Sequence, residues 1–207
     1  MTARLPDGYF DRMYADSADP WHLESRWYER RKYAITLALL PYPRYRHAFE
    51  PGCSIGVLTE LLAQRCDHVT STDVSVAALD ATHRRLLDAG RRDRLTLLCQ
   101  SIETPWPATP FDLIMLSEVC YYLDPATLRT TLDREVPRLT RGATVISAHW
   151  RHNVDEYPMS GDHVSDIIGA TAGLHHLGEY RDADVAVEVF DTASPTSVAT
   201  RTRIPGA

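Results

Sequence analysis

Three acidic residues, Glu50, Asp73 and Glu118, stand where a chain of this kind could hold a small, partly cationic ligand. The first opens a loop, Glu50-Pro-Gly52-Cys53-Ser54-Ile-Gly56, in which two glycines flank a serine. Small residues there let backbone approach a ligand, and the helix that follows offers its free N–H groups. A dinucleotide fingerprint needs G-x-G-x-x-G and a helix start that receives a pyrophosphate. The loop does not match it. A carboxylate at Glu50 would repel a pyrophosphate, but it suits a ligand with an ammonium group.

Asp73 ends the next strand, roughly 20 residues further on, the separation expected between a glycine loop and an acid that binds ribose. It can accept both ribose hydroxyls, with Val74 beside it. It can equally cap the helix that begins near Ser75. Together with Glu50, the acid favours S-adenosylmethionine (SAM), which carries an ammonium group, a ribose, and a carboxylate for the backbone N–H groups. A nicotinamide-dependent oxidoreductase shares the Asp73 logic but conflicts with the loop spacing and with Glu50.

Glu118 follows the most apolar strand and is the candidate for holding an acceptor amine or taking its proton. Tyr121 and Tyr122, just beyond, are placed to hydrogen-bond or stack on an acceptor, or to cover the core. His149 and His152 follow a later strand, with Trp150 between them, and either is a candidate general base. A metal reading of these histidines with Asp155 and Glu156 lacks the helical spacing of an H-E-x-x-H site. His175-His176 is weaker still, since neighbours on a strand point to opposite faces. Cys53 reads as a small lining residue rather than a nucleophile.

The elements that must position these groups alternate from Arg46 onward in the manner of a parallel sheet with helices on both faces. Strands are expected at His47–Glu50, Val69–Asp73, Leu95–Cys99, Phe111–Leu116 and Ala143–Ala148. Helices are expected over Val57–Arg65, about Ser75 to Ala89, Asp124 to near Pro137, and Asp162 to Ala170. Gly90 should cap the second of these, and Asp124-Pro125 should start the third. Leu177 to Asp191 alternates as a closing hairpin. Ahead of the first strand, aromatic residues crowd a segment whose helix, about Glu24 to Leu40, would hold Trp27, Ala34 and Leu37 along one stripe. It should pack across the ligand-binding end of the sheet. The basic cluster Arg26 to Lys32 reads as the solvated face of that helix.

With 207 residues, the chain fits one domain: a cap over 1–45, a core over 46–191 and a tail over 192–207. At 44% hydrophobic and 24% charged residues, its composition allows a packed core. A net charge of -6 argues against an extended nucleic-acid surface. No apolar run spans a bilayer and the residues from Met1 to Phe10 lack a signal-peptide h-region, so a cytoplasmic location is expected. Four cysteines without C-x-x-C spacing are read as reduced thiols.

Glu50 to Gly56, Ser71-Thr-Asp73 and Phe111-Asp-Leu-Ile-Met-Leu-Ser-Glu118 resemble class I SAM-dependent methyltransferases over most of the chain. Ala18-Asp-Pro-Trp21, Ser25-Arg-Trp-Tyr28 and the Glu50 to Gly56 loop are most similar to the nodulation protein S family of N-methyltransferases. The resemblance implies an α/β, Rossmann-like domain with a mostly parallel seven-stranded sheet and an N-terminal helical cap. It also implies that Gln100, Ser101 and Ile102 contact adenine, that Ser117, Glu118 and Val119 border the methionine end and the acceptor, and that Trp21 and Tyr28 close over the cofactor. Ser54 replaces the usual middle glycine. The expected reaction is methyl transfer to a nitrogen of a small amine or amino sugar, with S-adenosylhomocysteine as product. A hydroxyl acceptor with a histidine base, or a non-catalytic SAM-binding module, stands as the alternative. The D/N-P-P-Y motif of many enzymes that methylate base amines in nucleic acid is absent after the fourth strand.

Overall fold

A computed structural model describes residues 4–207, so the first three residues of the expected N-terminal cap lie outside the described residues. Seven strands form one sheet: β1 (Tyr45–Pro51), β2 (Cys66–Asp73), β3 (Leu95–Cys99), β4 (Leu113–Ser117), β5 (Thr144–Trp150), β6 (His175–Arg181) and β7 (Val185–Asp191). Their order is β3-β2-β1-β4-β5-β7-β6. The first five run parallel, and β7 pairs antiparallel with both β5 and β6. The order reverses between β1 and β4. In open α/β sheets such a switch point leaves a crevice at the carboxyl ends of the strands.

β4 shows how period-two alternation feeds two faces at once. Ile114 and Leu116 enter one core with Phe49, Phe111, Val145 and Phe190. Leu113 and Met115 enter the other with Ala48, Val69 and Ile146. The first core is covered by α5 (Pro125–Glu135) and α6 (Gly161–Gly169), the second chiefly by α3 (Val57–Arg65), with Leu86 from α4 (Val76–Asp88) and Tyr33 from the N-terminal segment. A strand buried on both sides has to be apolar throughout, which is why β4 reads as an unbroken hydrophobic run.

Local signals set the helix ends. Asp124 accepts from the N–H groups of Ala126 and Thr127, and Pro125 occupies the first turn of α5, where a missing N–H does no harm. At the end of α4, Gly90 takes φ +67°, its N–H donates to the Leu87 carbonyl, and Arg91 donates to Leu86. This is a Schellman closure, as the glycine suggests.

The N-terminal segment departs most from expectation. It holds two helices, α1 (Asp7–Asp16) and α2 (Trp27–Ala38), the first of which has no counterpart in the sequence reading. Of the anticipated apolar stripe on α2, Leu37 packs half-buried against the core, but Trp27 is 70% exposed and Ala34 is also exposed. Glu29, Lys32, Tyr33 and Thr36 are buried instead, at helical spacing. Lys32, expected on a solvated face, is 2% exposed. The helix turns this way because the sheet end beneath it presents a carboxylate. A short helix, α7 (Val198–Arg201), lies in the tail. All four cysteines are free, and no helix among the described residues is long and apolar enough to cross a membrane.

Candidate active site

A cleft of about 1500 Å³, its open mouth included, lies at the switch point between the ends of β1 and β4 and the N-terminal helices. Glu50, Gly52, Cys53, Ser54, Asp73, Val74, Ser101, Ile102, Ser117, Glu118 and Val119 all line it, with Trp21, Tyr28 and Tyr122.

At one end, Glu50 is 2% exposed, and its Oε2 accepts from the hydroxyls of Thr59 (2.6 Å) and Ser71 (2.7 Å). Burial pushes its carboxyl up to about 7, against the pull of those two hydroxyls and with a smaller push from Asp73. The loop turns sharply here: Gly52 and Cys53 both donate to the Thr72 carbonyl, and Gly52 has φ +74°. A Cβ on Gly52 would stand 2.8 Å from Val119 Cγ2. Gly52→Ala should therefore cost about 1–3 kcal/mol of stability, read as a lowered denaturant midpoint at unchanged m-value. Gly56 is not part of the lining. Its φ of +78° and the packing of its Cα against Thr82 explain the glycine, so its expected approach to a ligand is corrected to a structural one.

Ser54 sits at φ +50°, in the left-handed region. Its hydroxyl accepts from Tyr14 (2.6 Å), which α1 carries over the loop, and its N–H donates to Asp73 Oδ2 (2.9 Å). Asp73 Oδ1 takes the N–H of Ser75 (3.0 Å), so the acid braces both the loop and the entry to α4. Burial pushes Asp73 above the usual carboxylate range, partly offset by these N–H groups. Tyr14, which packs edge-on against Trp21 at 5.7 Å, was invisible to motif reasoning because it belongs to α1. Gln100 also lines the cleft, with a buried Nε2 that has no partner. A buried unpaired donor calls for an acceptor, and adenine offers ring nitrogens.

At the other end, Glu118 adopts φ +53°, a conformation rare outside glycine and asparagine. Its Oε1 binds Lys32 Nζ (2.6 Å), and its Oε2 accepts from Tyr121 (2.5 Å) and from the Trp150 N–H (3.0 Å). Lys32 also meets Glu29 Oε2 at 2.7 Å. Burial pushes Glu118 up, but Lys32 chiefly, with His149 and the hydrogen bonds, leaves it below its ordinary value. Burial lowers Lys32, and the two carboxylates outweigh it, so the ammonium persists. Around this pair stand Tyr28, edge-on to Trp150 at 5.2 Å, and the packed rings of Phe10, Tyr121, Tyr122 and Tyr157. Tyr28, expected over the cofactor, stands at the Glu118 end, with Lys32 Nζ 5.3 Å from its ring centre and its own buried hydroxyl unpartnered.

Neither histidine reaches the cleft. His149 is fully buried; its Nε2 accepts from the Cys120 N–H (3.2 Å) and its Nδ1 meets Ser147 Oγ (2.9 Å). Burial pushes it down to about 4, which keeps it neutral. His152 turns outward to Asp184 (2.8 Å). Both are corrected from candidate bases to structural residues: β5 alternation sends His149 inward, and the chain bends away before His152. Tyr122 lines the cleft, but burial first, then its Tyr157 neighbour (3.5 Å between hydroxyls), raises its phenol well above the usual value. It can pack against or donate to a ligand, not act as a base.

The strand order, the acids ending β1 and β2 and the crevice between β1 and β4 define an α/β fold of the class I methyltransferase type. The nodulation protein S (NodS) family model matches residues 10–174. The chain belongs to the nodulation protein S family. It is 32% identical to nodulation protein S of Rhizobium tropici over 130 residues, covering 62% of this chain and 53% of that protein. To the Bradyrhizobium diazoefficiens protein it is 30% identical over 138 residues, 66% and 65% of the two chains. The chain thus spans between about half and two thirds of the length of these curated relatives. Among solved structures, N-methyltransferase NodS from Bradyrhizobium japonicum WM9 in complex with S-adenosyl-L-homocysteine superposes with TM-score 0.77 at 26% identity, covering 89% of this chain and 96% of that one. A provisionally assigned methyltransferase from Pseudomonas syringae gives TM-score 0.68 at 36% identity over 80% of this chain and 99% of that one.

Proposed function

We propose that this chain transfers a methyl group from SAM to a nitrogen of a small molecule, an amine or amino sugar, releasing S-adenosylhomocysteine. The observation that carries the proposal is the cleft's division into a cofactor end, built from Glu50 and Asp73, and a charged, aromatic end around Glu118. The family relative solved with S-adenosylhomocysteine supports the same cofactor.

In this reading Asp73 binds the ribose hydroxyls, Gln100, Ser101 and Ile102 enclose adenine, and the Gly52–Ser54 backbone with Glu50 holds the amino-acid end. Trp21 closes that end from above. SAM supplies an already activated methyl group, so the protein's share is alignment and exclusion of water. Glu118, ionised and fixed by three partners, holds the acceptor amine. Tyr28 offers its unpartnered hydroxyl to the same acceptor, and the aromatic wall excludes water. A hydroxyl acceptor would need a base to activate it, and both imidazoles stand outside the cleft lining, which favours nitrogen. The net charge of -6 suits a small acceptor rather than a nucleic acid, and free cysteines suit the cytoplasm.

Transfer of labelled methyl from SAM across a panel of amines and alcohols tests the reaction. Labelling of alcohols alone would overturn the nitrogen assignment, and no labelling at all would favour a binding module. Calorimetry with S-adenosylhomocysteine against NAD tests the cofactor, and NAD binding alone would defeat the reading.

Glu50 adds a pH signature. A carboxyl raised to about 7 by burial stabilises the ligand-free protein at low pH, and that contribution is lost as pH rises through 7. An arriving ammonium favours the ionised form, so binding should tighten from pH 6 to pH 8 and release a proton at about pH 6. Calorimetry at pH 6 in two buffers of different ionisation enthalpy should give different heats, and Glu50→Gln should make them equal. Equal heats in the unaltered protein would exclude this role for Glu50.

A further inference from the structure

Outside the cleft lining, the β6–β7 hairpin gathers a second group of side chains. Glu179 and Glu188 are direct partners across the antiparallel ladder, and His176 pairs with Phe190. Three residues on β6 thus match two on β7, with a bulge between His176 and Gly178. Strict alternation would send His176 and Glu179 to opposite faces. The extra residue returns them to the same face. One potential ligand atom from each of His176, Glu179 and Glu188 then lies within 4.8 Å of the others, and His176 Nε2 is 3.7 Å from Glu179 Oε2.

The arrangement is costly as it stands. Like charges directly opposed on two strands repel. Glu188 is 8% exposed, and its buried Oε2 has no hydrogen-bond partner. Arg181 approaches Glu188 Oε1 only to 3.8 Å, while its Nη1 is committed to Asp162 at 2.8 Å. A buried carboxylate oxygen left in this condition points to a missing cation.

We propose that His176, Glu179 and Glu188 bind a divalent cation, Zn²⁺ by preference, which fastens the edge strand β6 to β7. Zinc binds imidazole nitrogen and carboxylate oxygen at about 2.0–2.2 Å, so two of its tetrahedral ligands stand roughly 3.4 Å apart, near the spacing of His176 and Glu179. An imidazole in the set favours zinc over magnesium or calcium. Water fills the remaining position. The ion takes no part in methyl transfer, so this site stands or falls independently of the proposed reaction.

Titration of ZnCl₂ into the full, tag-free, EDTA-stripped chain should show one equivalent bound with a dissociation constant below about 10 µM. His176→Ala and the isosteric Glu188→Gln should each weaken binding at least tenfold, whereas His175→Ala, on the neighbouring exposed residue, should leave it unchanged. Zinc should raise the melting temperature of the unaltered protein and not that of His176→Ala. Without metal, Glu179→Gln should raise it by about 1–2 °C by removing the repulsion. Equal zinc affinity in the unaltered protein and His176→Ala, or no saturable binding up to about 1 mM, would overturn the site.

Discussion

Lys32→Met should destabilise the protein by about 3–5 kcal/mol, the usual cost of removing one partner from a buried ion pair. Lys32 Nζ lies 2.6 Å from Glu118 and 2.7 Å from Glu29, and its side chain is 2% exposed. Methionine fills similar volume, so the loss is electrostatic: two carboxylates remain facing one buried thioether. Burial already raises Glu29, and without the ammonium it shifts further upward, while Glu118 loses the partner that chiefly holds it below its ordinary value. A folded-state carboxyl raised above its unfolded value favours the fold at low pH and disfavours it as pH rises. The deficit should therefore shrink from pH 8 to pH 5, whereas a packing defect would not vary in this way. Urea denaturation across that range measures it, and Lys32→Met/Glu29→Gln should recover part of the loss. A pH-independent deficit would show that Lys32 acts through packing alone.

Asp73→Ala should weaken S-adenosylhomocysteine binding by about a hundredfold. Two hydrogen bonds from ribose to a charged acceptor contribute about 1.5–3 kcal/mol each, and at least part of that is lost. The same acid holds the Ser54 and Ser75 N–H groups, so the loop loses its brace as well. Asp73→Asn separates the two effects. It keeps one carbonyl oxygen for one of the two backbone N–H groups but lacks the charge, so its melting temperature should fall less than that of Asp73→Ala while affinity still falls at least tenfold. Calorimetry checks the affinity and thermal denaturation the fold. Unchanged affinity in Asp73→Ala would remove the ribose assignment.

The Glu50 and Asp73 end of the cleft was legible in the sequence because it is local. Glu50 to Gly56 and Asp73 lie at strand ends, where chemistry follows from position along a βα unit. The doubly buried strand β4 and the Asp124 and Gly90 signals were equally readable, since each depends on a few adjacent residues. At the other end Glu118 and Tyr122 were singled out, but the part that α2 plays there was not legible. Helix α2 carries Glu29, Lys32, Tyr33 and Thr36 at helical spacing, and a polar stripe of that kind ordinarily faces water. Its inward orientation depends on Glu118, a residue brought near only by the fold. The histidines failed for a related reason: being near a strand end does not specify which way a ring points.

The contact between Lys32 and Glu118 joins positions 86 residues apart. On a chain emerging from the ribosome at about 5–20 residues per second, the lysine waits roughly 4 to 17 seconds for its carboxylate. During that interval α2 has Glu29 for company but no sheet end to receive its charged face. The helix that precedes the sheet in synthesis thus docks only after β4 and Glu118 are in place, and a nascent chain halted before residue 118 exposes an unfinished cap to chaperones and proteases.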